Sequence, residues 1–141
     1  MSDKTTVAFV CVQNAGRSQI ATEFARRETE KRGLTSEIEV ITGGTQPADE
    51  VHEVVAEAMS ETGYLIDREP REIRFDELDD ADYVVTMGCS ASDVCPSTAT
   101  AESRDWDLDD PDSKPLEEVR EIRDEIRRRV ESLMDEIESE S

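Results

Sequence analysis

Lysine is nearly missing from this 141-residue chain. Only Lys4, Lys31 and Lys114 occur, so 13 of the 16 basic residues are arginine, set against 36 acids for a formal charge of −20. A chain with so little positive charge is not expected to bind nucleic acid or an anionic membrane surface. The acids are spread along the whole sequence rather than gathered in one tail, the pattern expected of adaptation to high intracellular salt, where mutual repulsion is screened. No apolar run approaches the roughly 20 residues of a membrane span. The opening "MSDKTTVAFV" carries an acid and no basic leader before its short apolar run, so a signal peptide is not expected and a cytoplasmic protein is. Histidine occurs once, as His52, and aromatic residues make up 4%. Three cysteines, Cys11, Cys89 and Cys95, do not make a disulfide framework in a chain of this kind. They leave reactive thiols or a metal site. Cys89, Cys95 and His52 have too wide a spacing and no evident fourth ligand, so no metal is expected.

What is present is an alternation of strand and helix signals. "TTVAFVC" (5–11) reads as a buried parallel strand. From Arg17, apolar residues at Ile20, Ala21, Phe24 and Ala25 have helical spacing, and Gly33 is a stop signal. "EIEVIT" (37–42) reads as a strand ending at a glycine pair. A second helix is expected from about Ala48 to Thr62, closed by Gly63, with His52 on its face. "DYVVTM" (82–87) reads as a third strand, and "RDWDL" (104–108) as a short fourth. Leu116, Val119, Ile122, Ile126, Val130, Leu133 and Ile137 recur at steps of three or four, which predicts a long amphipathic helix. The fold expected is α/β, a three-layer α/β/α arrangement with a four-stranded parallel sheet, in a single domain over 1–141. Ligands of such sheets bind beyond the carboxyl ends of the strands. Cys11 ends the first strand and Cys89 follows the third.

The stretch "CVQNAGRS" (11–18) follows a strand and opens a helix. A loop in that setting gathers backbone N–H groups around one point, and the helix adds its positive end, which together cradle a tetrahedral oxyanion. A thiol inside such a cradle is favoured as the nucleophilic thiolate. Val12, Gln13, Asn14, Ala15, Gly16, Arg17 and Ser18 are therefore the expected oxyanion-binding residues. Asn14 and Gly16 tolerate the positive φ of a tight loop, Arg17 offers a planar fork for two oxygens, and the Ser18 hydroxyl can donate to the Cys11 sulfur. A free cysteine at a strand end is commonly just a small buried hydrophobe. The strand before it and the helix after it turn the reading toward covalent catalysis on phosphate or a phosphate mimic. "DWDLDDPDSKP" (105–115) adds Asp110 directly before Pro111, in a loop ahead of the last helix. The proline holds Asp110 extended, suited to a general acid that protonates a departing oxygen.

With these motifs in hand, the chain resembles the low-molecular-weight protein tyrosine phosphatase family, and within it the arsenate reductases that use three cysteines. The resemblance runs through "VCVQNAGRSQIA", "GTQPADEVHEVV", "VVTMGC....CP" and "DWDLDDP" into the C-terminal helix. It implies that Cys11 is the catalytic cysteine, Arg17 the oxyanion arginine, Ser18 the thiolate-stabilising serine and Asp110 the general acid. It also implies that Cys89 and Cys95 carry a thiol–disulfide relay ending on thioredoxin or another external thiol, with arsenate or phosphate as the bound oxyanion, no resident cofactor, and a role in arsenic detoxification. Gln19 and the downstream cysteine pair favour the reductase over a phosphatase of phosphotyrosine or small phosphomonoesters, which would use the same Cys11, Arg17 and Asp110. So does "DPDSKP", which lacks the aromatic pair that tyrosine-specific relatives carry after Asp-Pro. Five residues separate Cys89 from Cys95, one fewer than in the better-known reductases, which leaves an external thiol as another way to resolve the intermediate. Some relatives hold potassium behind the residue matching Asn14. The acid they use in the next helix is replaced here by Thr22, with Glu23 one position on, which leaves potassium a possible cofactor.

Overall fold

The computed structural model describes residues 5–11, 16–44, 48–64, 66, 69–72, 81–87, 102–106 and 114–140. Four strands, β1 (Thr5–Cys11), β2 (Ile38–Gly44), β3 (Tyr83–Met87) and β4 (Glu102–Trp106), form one sheet in the order β2-β1-β3-β4, every pair parallel. The helices are α1 (Arg17–Lys31), α2 (Glu53–Ser60) and α3 (Leu116–Glu140). Odd-numbered β1 residues Val7, Phe9 and Cys11 share one apolar cluster with Ile20 and Phe24 of α1, Val55 and Met59 of α2, and Ile126 and Val130 of α3. Ala8, Val10 and Val84 are fully buried in a second cluster on the opposite face. Burial on both faces is why β1 and β3 read as continuous apolar runs rather than as alternating ones.

The ends of the elements follow from local chemistry. Gly33, at φ +70°, closes α1, with its N–H donating to the Glu30 carbonyl and that of Leu34 to Thr29. The left-handed residue satisfies carbonyls the helix would otherwise leave unpaired. Gly63, at φ +87°, follows the end of α2 in the same region of φ. Six of the seven apolar positions expected of α3 are buried, and Leu116 packs partly buried against the same core. Met134, outside that pattern, is fully buried as well.

Three elements differ in extent from the sequence reading. β2 runs through Gly43 and Gly44 instead of ending before them, because Gly44 stays in register with Cys11 on β1. α2 begins only at Glu53, which makes His52 its N-cap residue (φ −59°, ψ 131°) rather than a residue on the helix face. β4 begins two residues earlier than expected, at Glu102, and is described through Trp106, with 107 and 108 outside the described residues. Cross-strand register decides the first and third. A strand persists as far as its neighbour offers partners, whatever its own propensity.

Ion pairs tie the helices together. Arg120 and Arg123 of α3 both reach Glu61 just beyond α2, and Arg123 also donates to the Ala58 carbonyl. Hydrogen bonds from Arg120, opposed in part by desolvation, hold the Glu61 carboxyl down at about 2. A carboxyl held below its ordinary value adds stability that is present above that value and is lost as pH falls. Glu61→Gln should therefore lower the thermal midpoint at pH 7, and its difference from the native protein should vanish as pH falls from about 4.5 towards about 2. A difference at pH 2 as large as that at pH 7 would contradict the assignment. The pair is exposed, so its effect should also shrink in concentrated salt.

The chain as a whole should respond to salt with the opposite sign. At −20 the long-range term is repulsion, and the screening length falls from about 10 Å at 0.1 M to about 3 Å at 1 M. The thermal midpoint should rise with potassium chloride into the molar range even as the Glu61→Gln difference shrinks. A flat or falling midpoint would overturn the salt-adaptation reading.

Candidate active site

The strand order places the site. From β1 the chain crosses to β2 on one side of it, while β3 lies on the other. The crevice beyond the carboxyl ends of β1 and β3 is therefore a switch point, where parallel sheets of this kind bind ligands. Cys11 is the last residue of β1, and it is 3% exposed.

Ser18, in the first turn of α1, is fully buried, and its Oγ lies 2.9 Å from the Cys11 Sγ. Its backbone carbonyl accepts the Thr22 hydroxyl at 2.6 Å. That bond ties the turn carrying Ser18 to the next turn of the helix. Arg17 opens α1 half-buried, and Gln19 beside it is fully buried. Gly16 is the N-cap, and its carbonyl accepts the Ile20 N–H at 3.0 Å. The positive φ expected of Gly16 is not found. Its φ is −138°, because here the residue makes the turn into the helix.

The start of α1 is also electrically distinctive. The first turns of α2 and α3 carry Glu53 and Glu117 with Glu118, whereas that of α1 carries no acid. Gly16, the N-cap residue, has no side chain with which to cap the helix. The first N–H groups of a helix lack intrahelical partners and carry its positive end. In a chain with 36 acids, the first turn of α1 holds none.

Cys11, Gly16, Arg17 and Ser18 are thus brought to one end of the sheet, with Cys11 and Ser18 in contact. Val12, Gln13, Asn14, Ala15, Cys89, Cys95 and Asp110 lie outside the described residues. Thr22 and Glu23 are already engaged. Thr22 donates to Ser18, and Glu23 pairs with Arg27 at 2.9 Å. Most aromatic candidates for a substrate platform are core. Phe9, Phe24, Tyr83 and Trp106 are buried, Phe9 against Trp106 with ring centroids 5.9 Å apart, and Tyr64 packs edge-on against Phe24. Phe75 lies outside the described residues.

Two residues escaped the sequence reading. Thr42 donates its hydroxyl to the Phe9 carbonyl at 2.9 Å, and Arg71 donates to the Thr42 carbonyl at 2.7 Å. Neither is near the cysteine loop in sequence, and no motif marks them.

The pattern of the family described as low molecular weight phosphotyrosine protein phosphatase matches residues 6–141. The chain belongs to this family. A Halobacterium salinarum protein with the provisional name of arsenate reductase is 55% identical over 137 residues, covering 96% of this chain and 95% of its own. A solved thioredoxin-dependent arsenate reductase of Corynebacterium glutamicum superposes with a TM-score of 0.82 at 36% identity, covering 99% of this chain. This chain spans 65% of that longer protein. A second solved structure, an arsenate reductase in its phosphate-binding state, gives a TM-score of 0.81 at 32% identity over 94% of this chain and 98% of that one. Membership of the phosphatase family accounts for the parallel sheet. Among the described residues no helix is long and apolar enough to cross a membrane.

Proposed function

We infer that this protein is an arsenate reductase that converts arsenate to arsenite through a covalent adduct on Cys11. The observation that carries the inference is the 2.9 Å contact between Cys11 Sγ and Ser18 Oγ, set at the switch point of the sheet beside an acid-free helix start. Relatives at 55% and 36% identity bear that activity in their names, and the buried aromatic side chains argue against a phosphotyrosine platform.

Arsenate is held by the backbone N–H groups of residues 12–18 and by the Arg17 guanidinium, which offers two parallel donors to two oxygens. The Cys11 thiolate, steadied by the Ser18 hydroxyl, attacks arsenic. Asp110 gives its proton to the departing oxygen, so that water leaves and a Cys11–arsenic bond remains. The Cys89 thiolate then attacks the Cys11 sulfur. The sulfur–arsenic bond breaks, its electron pair goes to arsenic, and arsenite departs, leaving a Cys11–Cys89 disulfide. The Cys95 thiolate attacks Cys89, frees Cys11 and forms a Cys89–Cys95 disulfide. A thioredoxin-like dithiol returns two electrons and two protons to that pair. The chain itself supplies every other group, so no resident cofactor is needed. Potassium draws no support from Thr22 or Glu23, both of which are engaged within the helix.

The protein would act among soluble thiols in the cytoplasm, in concentrated salt. The Halobacterium relative accords with that setting. The test is arsenate reduction, coupled to thioredoxin, run beside aryl-phosphate hydrolysis in potassium chloride. The result expected is arsenate-dependent oxidation of thioredoxin with aryl-phosphate hydrolysis as a slow side reaction. Efficient hydrolysis without arsenate reduction would replace this reading with the phosphatase.

A further inference from the structure

Among the described strands β2 lies at the edge of the sheet, so half of its backbone hydrogen-bonding groups face away from β1. At its carboxyl end, one residue meets two of them. The Arg71 carbonyl accepts the Gly44 N–H at 2.8 Å, and the Arg71 guanidinium donates to the Thr42 carbonyl at 2.7 Å. Glu72 continues the contact as an isolated parallel bridge to Gly44. On its inner edge the same three-residue segment is fastened to β1, with Gly44 in register with Cys11 and Thr42 donating its hydroxyl to the Phe9 carbonyl. The strand end beside Cys11 is therefore gripped from both sides.

We propose that Arg71 is a positioning residue for Cys11, bracing the Thr42–Gly44 segment that holds the end of β1 in place. The proposal rests on the reading of Cys11 as the nucleophile. Glycine at 43 and 44 gives the segment little stiffness of its own, so its position depends on what is bonded to it. Arg71 supplies a backbone acceptor that any residue could offer and a charged donor that few could. Only the donor is open to mutation. A nucleophile displaced by a fraction of an ångström loses rate while substrate binding, set by the loop and Arg17, is retained.

Three variants test this in potassium chloride: Arg71→Met, which keeps the stem and removes the donors, Arg71→Lys, which restores one charged donor, and Arg32→Ala. Arg32 pairs with Glu28, Asp135 and Glu138 at the far end of α1 and serves as the control for lost stability. Turnover and KM for arsenate are measured with the rate at which iodoacetamide alkylates Cys11, located by mass spectrometry. Arg71→Met is expected to lower turnover about 10-fold with KM within about twofold, and to change the alkylation rate by a similar factor. Arg71→Lys should recover most of the loss, and Arg32→Ala should leave all three quantities unchanged. Turnover and alkylation unchanged in Arg71→Met would overturn the proposal. So would a loss matched by Arg32→Ala, or failure of both Arg71 variants to fold, since Arg71 would then serve the fold as a whole. Failure of the underlying reading looks different, because native activity would then survive complete alkylation of Cys11.

Discussion

Replacing Cys11 with serine is expected to lower arsenate reduction by about three orders of magnitude or more, together with any aryl-phosphate hydrolysis. A hydroxyl at that position is almost entirely protonated at neutral pH and is a much poorer nucleophile than a thiolate. The fold should survive, because the side chain is small and Ser18 Oγ can still hydrogen-bond to an oxygen where it now meets sulfur at 2.9 Å. A thermal midpoint close to the native value, with phosphate still bound, would separate lost chemistry from lost structure. Retention of more than a trace of either activity would sink the nucleophile assignment. Arg17→Lys should fail as well, by roughly 100-fold, since one ammonium cannot reproduce two parallel donors aimed at two oxygens.

Replacing Cys89 with serine should separate the two chemistries. Hydrolysis of an aryl phosphate ends with water attacking the Cys11 adduct and needs no second thiol. Arsenate reduction needs one, because the electrons reach arsenic only when a thiolate attacks the Cys11 sulfur. In Cys89→Ser, multiple turnover of arsenate should fall to background, while aryl-phosphate hydrolysis stays within about twofold of native. Loss of both activities together would make the segment structural. Cys95→Ser probes the shortened spacing between the two cysteines. It should release one arsenite per protein and then stall with the Cys11–Cys89 disulfide in place. Continued turnover with thioredoxin would mean that an external thiol resolves that bond.

The strand and helix order, the place of Cys11 at the end of β1, and the helix that opens at Arg17 were legible along the chain. These are local properties. β-branched runs, three-and-four apolar spacing and a glycine after the last helical turn act within a few residues of one another, so they are readable along the chain. Gly33 ends α1 where its position implied, and the apolar stripe of α3 faces the core as its spacing required. The contact between Cys11 and Ser18 was legible for the same reason, since only seven positions separate them.

How β2 ends, what braces it and what ties α2 to α3 depend on contacts between segments far apart in the chain. The Thr42 bond to Phe9 spans 33 positions, that of Arg71 to Thr42 spans 29, and that of Arg120 to Glu61 spans 59. Each depends on the direction in which a crossover returns and on the register at which a strand settles. Those are set by the packing of whole elements on a shared core, not by the propensity of any one segment. Gly43 and Gly44 show the difference most plainly. As residues they are a stop signal for a strand, yet beside Cys11 they extend one, because β1 offers partners on one edge and Arg71 on the other.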